Sequence, residues 1–214
     1  MPNWVENKVT FIEGCDELIN KLNKLNEESE KIDGGIGLFN SFVPRPAIYE
    51  KYDTTNYNGE NIKVGVEYYL YYGEDLNSRK VVVTPEILAD LKATIKEQRE
   101  KYGAVGWYDW DCLYWGTKWD VSNWCLGSDT MDFKTAWSHP MEFFIAVSKQ
   151  YPEAVFAVEY ADEDLGSNCG CIFYKNGKYD ELDPCFMYAA KVNDMDVSDI
   201  YYNYGDGGYW EKSE

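Results

Sequence analysis

The chain has 214 residues, 45% hydrophobic and 17% aromatic. That is too apolar for a disordered chain and long enough to bury a core without disulfides or metals. Twenty basic against 38 acidic side chains give a net charge of −18, a field that repels nucleic acid and anionic membranes and attracts basic protein surfaces.

Residues 5–12 alternate apolar and polar, with Val9 and Phe11 on one side and Lys8 and Thr10 on the other, the period of a half-buried strand. Gly14 ends it. Leu18, Ile19, Leu22 and Leu25 then recur at helical spacing between Asp16 and Ser29, with acidic residues in the first turn. GGIG at 34–37 follows a helix instead of opening one, so it predicts a turn and no phosphate loop. Residues 42–61 read as an irregular connection, with Pro44 and Pro46 near its start. IKVGVEYYLYY at 62–72 is β-branched and aromatic, hence a strand. Thr84 as N-cap, Pro85 at the first helical position and Gly103 at the end bracket a helix carrying Ile87, Leu88, Leu91 and Ile95 on one face.

Five of the eight tryptophans crowd into residues 107–124. Gly116 and Thr117 predict a turn there, followed by a strand over about 118–126. Met131, Phe133, Thr135 and Trp137 alternate with Asp132, Lys134 and Ala136 as a second strand with one buried face. A helix starts near Ser138 or His139, with Met141, Phe144, Ile145 and Ser148 expected inward, and breaks before Pro152. AVFAVEY at 154–160 is a strand, and Asn176-Gly177 suits the type I′ turn of a hairpin. Removing about 47–104 leaves β-α-β-β-α-β. The expected fold is therefore α+β, a ferredoxin-like split β-α-β over residues 1–178 with an inserted strand and helix. A C-terminal hairpin extends the fold, and residues 179–214 are expected as an acidic, Tyr-rich extension packed on the domain or partly flexible.

The phrases MPNWVENKVTF, GLFNSFVPRP, WYDWDCLYWGTKWDV and FKTAWSHPMEFFIAVSKQYPEAVFAVEYADE occur in this order. Carrying them, residues 1–178 resemble the Api92-like (YubB ferredoxin-like) family of phage and plasmid proteins. The resemblance implies a ferredoxin-like domain encoded on a mobile element, and it implies no catalytic or binding residues.

No run of about 18 apolar residues marks a membrane span. The start MPNWVENKVT lacks an apolar stretch behind a basic segment, so a cytoplasmic protein of the bacterial host is expected. Of six cysteines only Cys169 and Cys171 are close, and His139 is the single histidine. Tetrahedral zinc needs a richer ligand set, so free thiols and no metal or cofactor are expected. His139 has no nucleophile elbow or protease-like cysteine signature to serve. Asp194, Asp196 and Asp199 lack the glycine and distal glutamate of a calcium loop.

Two readings of the aromatic and acidic residues remain open. In one, the tryptophans are core, with indole N–H groups bonded by Asn3, Asn7, Asp109, Asp111 or Asp120. In the other, Trp107, Trp110, Trp115 and Trp119 wall a pocket for a nucleotide or sugar. Between Glu159 and Glu214 thirteen acidic side chains face four lysines. Carboxylates with rigid tyrosines suit an arginine-rich protein surface. The candidate contact residues are Asp162, Glu163, Asp164, Asp194, Asp196, Asp199, Tyr201, Tyr202 and Tyr204. The expected function is a non-enzymatic acidic protein of a phage or other mobile element that binds and inhibits a basic host protein, one of defence or nucleic-acid handling, with nucleic-acid mimicry as one route. The alternative is a small-molecule binding protein or enzyme using the Trp-lined pocket.

Overall fold

The computed structural model describes residues 3–52, 54, 61–72, 78–121, 123–164, 166, 168–182, 186–196, 200–203 and 209–212. It divides into two compact units, one made of Met1–Val43 with Trp115–Glu214 and the other of Pro44–Tyr114.

The first unit is built on a six-stranded sheet. Its strands are β1 (Trp4–Glu13), β4 (Trp124–Leu126), β5 (Thr130–Ala136), β6 (Val155–Asp162), β7 (Gly170–Lys175) and β8 (Lys178–Leu182). Their order is β4-β5-β1-β6-β7-β8, and every neighbouring pair is antiparallel. β4 and β1 both run against β5, so they are parallel to each other; β5 and β6 stand in the same relation across β1. The two helices α1 (Asp16–Ser29) and α6 (Met141–Gln150) lie between those parallel partners in sequence. This is the ferredoxin-like split β-α-β arrangement, extended by the β7–β8 hairpin. Asn176 and Gly177 both take positive φ at its turn, as a type I′ turn requires.

The pleat of β1 sends Val5, Asn7, Val9 and Phe11 inward and leaves Trp4 and Glu6 on the other face. Val9, Phe11, Met131 and Phe156 from the sheet meet Leu18 and Leu22 of α1 and Phe143, Phe144 and Val147 of α6 around one apolar interior. The inward positions of α6 are thus Phe143, Phe144, Val147 and Ser148. Met141 and Ile145, expected inward, are only partly buried, because the helix begins after Pro140 and its buried stripe is turned relative to the expectation. A short helix α2 (Leu38–Phe42) adds Phe39, fully enclosed. On the opposite face, Ala161 packs with Tyr188 and Ala189 of α7 (Phe186–Val192). β9 (Ile200–Asn203) and β10 (Tyr209–Lys212) pair as a separate ribbon.

The second unit holds α3 (Ile48–Lys51), the β2 (Glu67–Tyr72) and β3 (Ser78–Val82) hairpin, α4 (Pro85–Tyr102) and α5 (Gly106–Tyr114). Tyr52, Ile62, Leu70, Val83, Leu91 and Ile95 form its core. α4 is capped as its sequence predicts: Thr84 Oγ1 accepts from the Ile87 N–H, and Gly103 ends the helix in the left-handed conformation. The helix α5 was not apparent in the Trp-rich stretch. It is fastened by Asp111, whose fully buried carboxylate takes two hydrogen bonds from Arg45 at 2.7 and 2.6 Å.

Candidate functional site

The segment after α5 departs from the expected strand over 118–126: among the described residues there, only Trp124–Leu126 forms a strand. Residues 115–121 instead run past the starts of α6 and α2, fastened by contacts of Trp115, Gly116, Thr117 and Asp120. Trp115 is core and its indole N–H donates to the Val43 carbonyl at 2.9 Å, not to the side chains expected to receive it. Gly116 has φ +80, and a Cβ there would meet Glu142 Oε2 at 2.2 Å and Met141 N at 3.0 Å, so a side chain at this position is strained. Thr117 Oγ1 donates to the Ala136 carbonyl at 2.8 Å. Asp120 receives the Phe39 and Asn40 N–H groups at 2.6 and 2.9 Å and thereby caps α2.

The following segment is fastened in the same way. Thr135 Oγ1 donates to the Ser138 carbonyl, and Ser138 Oγ to the Gly116 carbonyl. His139 is buried between Phe144 and Tyr160, with ring centroids at 5.4 and 4.4 Å. Its Nδ1 contacts Asn7 Oδ1 and its Nε2 contacts the Tyr174 hydroxyl. Burial pushes its pKa down to about 3. Both ring nitrogens are thus engaged inside the protein, where His139 joins β1, β7 and the turn before α6.

Three side chains of these two segments serve no core: Lys118, Trp119 and Trp137. They converge with Trp4 on the surface. Trp4, Trp119 and Trp137 are 39%, 38% and 46% exposed. The ring centroids of Trp119 lie 6.4 Å from Trp4 and 6.3 Å from Trp137. Lys118 Nζ lies 4.2 Å from the Trp119 centroid and 4.5 Å from that of Trp137. The reading in which the tryptophans are core therefore fails for Trp119 and Trp137, which keep more than a third of their surface exposed. Trp137 does so at φ +68, a left-handed conformation unusual for a bulky residue. Two hydrogen bonds hold it there: its N–H donates to Asn3 O at 2.9 Å and its carbonyl accepts from Asn168 Nδ2 at 2.9 Å.

Part of the expected acidic site adjoins this cluster. Asp162 is buried and structural, accepting from the Asp164 N–H and from Asn168 Nδ2. Glu163 and Asp164 are exposed. Glu163 Oε1 accepts from the Trp4 N–H at 3.3 Å, and Asp164 Oδ2 from Asn3 Nδ2 at 2.7 Å. Beyond Trp4 a groove of about 730 Å³ runs along Glu6, Asp120, Asn123, Trp124 and Asp132, with Lys134 ion-paired to Glu6 on its wall.

The other expected site residues fall elsewhere. Asp194 and Asp196 are exposed after α7. Tyr201 and Tyr202 lie on β9, their side chains outside the described residues, as are Asp199 and Tyr204 entirely. Of the proposed aromatic pocket, Trp107 and Trp110 belong to the second unit and Trp115 and Trp119 to the first. Trp110 and Trp115 are interior and offer no ring to solvent. Sequence reasoning missed Trp4 and Trp137 as surface residues. The one available signal was that Trp4 occupies an outward position of an alternating strand.

Among the described residues, no group of three or more His, Cys, Asp and Glu side chains is arranged to hold a metal ion, and no helix is long and apolar enough to cross a membrane. No curated protein and no solved structure gives a significant match to the chain. Residues 114–185, which carry β4 to β8 and most of this surface, match the family model described as the ferredoxin-like domain in Api92-like protein, the family that the sequence phrases resemble.

Proposed function

We propose that this is a non-enzymatic binding protein of a phage or other mobile element, which engages and blocks a basic surface of a host protein through the Trp4–Trp119–Trp137 cluster and its flanking carboxylates. The observation that carries the reading is three tryptophans standing in solvent beside Glu163 and Asp164, in a chain of net charge −18. Exposed aromatic anchors give contact area at low entropic cost, and carboxylates select arginine and lysine. A protein surface is the favoured occupant over nucleic acid, whose phosphates the field repels.

The test uses purified chain, immobilised, against bacterial lysate at low and at roughly physiological salt, beside a Trp4→Ala, Trp119→Ala double variant. A basic protein retained by the parent chain, released by salt and absent from the double variant is the expected result. Equal retention by both chains would refute the surface.

A second reading has the groove in its favour. Its volume of about 730 Å³ and its Trp4 and Trp124 walls fit a small molecule. A saturable change in tryptophan fluorescence with a nucleotide or a sugar would favour it.

A further inference from the structure

Lys118 shows what the aromatic cluster is built to hold. The rings of Trp119 and Trp137 lie 6.3 Å apart at 27°, and the ammonium of Lys118 sits in the notch facing both, well inside the roughly 6 Å range of a cation–π contact. The strained left-handed backbone at Trp137 is what sets the second ring against the first. Strain of this kind persists only where surrounding contacts over-determine it, here Asn3 and Asn168. Asn3 is also the residue that anchors Asp164, so one residue joins the notch to the carboxylates.

We infer that the Trp119–Trp137 notch is a recognition site for an arginine side chain of a protein partner, and that Lys118 is a resident occupant which this arginine displaces. The inference rests on the proposed function and names the contact it uses. Arginine fits better than lysine for two reasons. Its planar guanidinium stacks on indole and is weakly hydrated, whereas a lysine ammonium gains strong hydration on leaving. Its fork also pairs with a carboxylate in two-pronged fashion, and Glu163 and Asp164 supply carboxylates beside Trp4. Charge complementarity extends along the groove, where Glu6, Asp120 and Asp132 outnumber Lys134.

The probe is a capped tetra-arginine peptide, with capped tetra-lysine and a cello-oligosaccharide as comparators. Indole N–H resonances report the site, and calorimetry reports affinity. Tetra-arginine is expected to shift the Trp119 and Trp137 indole resonances and to bind more tightly than tetra-lysine. Lys118→Met, which keeps the stem and removes the charge, is expected to tighten tetra-arginine binding about two- to fivefold, the scale of one exposed cation–π contact. Lys24→Met, on the exposed side of α1, controls for net charge and is expected to have less effect than Lys118→Met. Trp137→Asn, which tolerates the left-handed backbone, is expected to abolish the indole shift at Trp119.

Lys118→Met binding no better than Lys24→Met would overturn the displacement. Peptide binding with both indoles silent overturns the notch and leaves the basic-partner reading standing. No tetra-arginine binding at low salt sinks both. Oligosaccharide shifting these indoles while tetra-arginine does not overturns the inference in favour of the small-molecule reading.

Discussion

His139 Nδ1 lies 2.8 Å from Asn7 Oδ1, and this contact assigns a proton. The Asn7 amide nitrogen donates to the Val5 carbonyl at 3.0 Å and to Thr135 Oγ1 at 2.9 Å, so its oxygen must face the ring. His139 therefore carries its hydrogen on Nδ1 and accepts the Tyr174 hydroxyl at Nε2, 2.7 Å away. Thr135 passes its own hydrogen to the Ser138 carbonyl. Each of these donors thus finds an acceptor. The network ties β1, β5, β7 and the turn before α6 into one unit, with the imidazole neutral.

Neutrality makes the fold pH-dependent in a calculable direction. The folded-state pKa is about 3 against an ordinary 6.5, so between those values the unfolded chain binds the extra proton and stability falls as pH falls. This contribution is whole above pH 6.5, and about 2 kcal/mol of it is gone at pH 5, at 1.36 kcal/mol per pH unit. Urea unfolding midpoints at pH 7.5 and pH 5 measure the loss. His139→Gln is expected to show a shallower dependence, since the carboxylates alone remain. An identical slope in both chains would show that His139 takes up its proton in the folded chain as readily as in the unfolded one.

Tyr174→Phe tests the same network from its far end. Burial pushes the Tyr174 hydroxyl's pKa upward, which keeps it a donor. Its removal strands His139 Nε2 without a partner, at a cost of about 1–3 kcal/mol. Chemical denaturation at pH 7.5 reads this directly, and a change below about 0.5 kcal/mol would mean that the hydroxyl contributes nothing.

Most of the ferredoxin-like frame was legible because its signals are local and periodic. The alternation in β1 and β5, the apolar stripe of α1, and the cap and stop of α4 each follow from residues a few positions apart. The Asn-Gly turn is as local. The residues around 115–121 were not legible in the same way. Their conformation is fixed by partners far off in sequence: Val43 for Trp115, Ala136 for Thr117, Phe39 and Asn40 for Asp120. A stretch rich in aromatic residues reads as strand on propensity alone, and tertiary contacts override that. Helix α5 was hidden for the same reason, since Asp111 is turned inward by Arg45, 66 positions away. The surface cluster was harder still. Nothing in the sequence says that Trp137 takes a left-handed backbone, and that single dihedral decides whether its ring is core or surface.

Asp111 gives a prediction for the second unit. Removing one partner of a buried ion pair leaves the other uncompensated. Arg45 is partly exposed and Asp111 is fully enclosed, so the two single variants are unequal. Arg45→Met takes the cation away from an enclosed carboxylate and is expected to cost about 3–5 kcal/mol. Asp111→Ala lets the guanidinium reach water and costs less. Hydrogen exchange over α5 checks the order: amides of 106–114 should lose protection more in Arg45→Met than in Asp111→Ala. The reverse order would mean that the aspartate's packing, not its charge, holds the helix.

Trp115 and Trp137 separate core from surface by the same substitution logic. Both are tryptophans, 22 positions apart, Trp115 just after α5 and Trp137 just after β5. Trp115 fills the interior against Phe39 at a centroid distance of 5.9 Å, and Trp115→Ala is expected to cost about 3–5 kcal/mol. Trp137→Asn gives up one exposed ring contact and its share of the Lys118 cation–π interaction, about 0.5–1 kcal/mol. It also relieves a left-handed residue whose strain is roughly 1–2 kcal/mol. The two effects oppose each other, so its unfolding midpoint should stay near that of the parent chain or rise, while capture of a basic partner is lost. Melting curves of the two variants decide the matter. A loss at Trp137→Asn as large as that at Trp115→Ala would make Trp137 a structural residue and leave the surface cluster without its reason to exist.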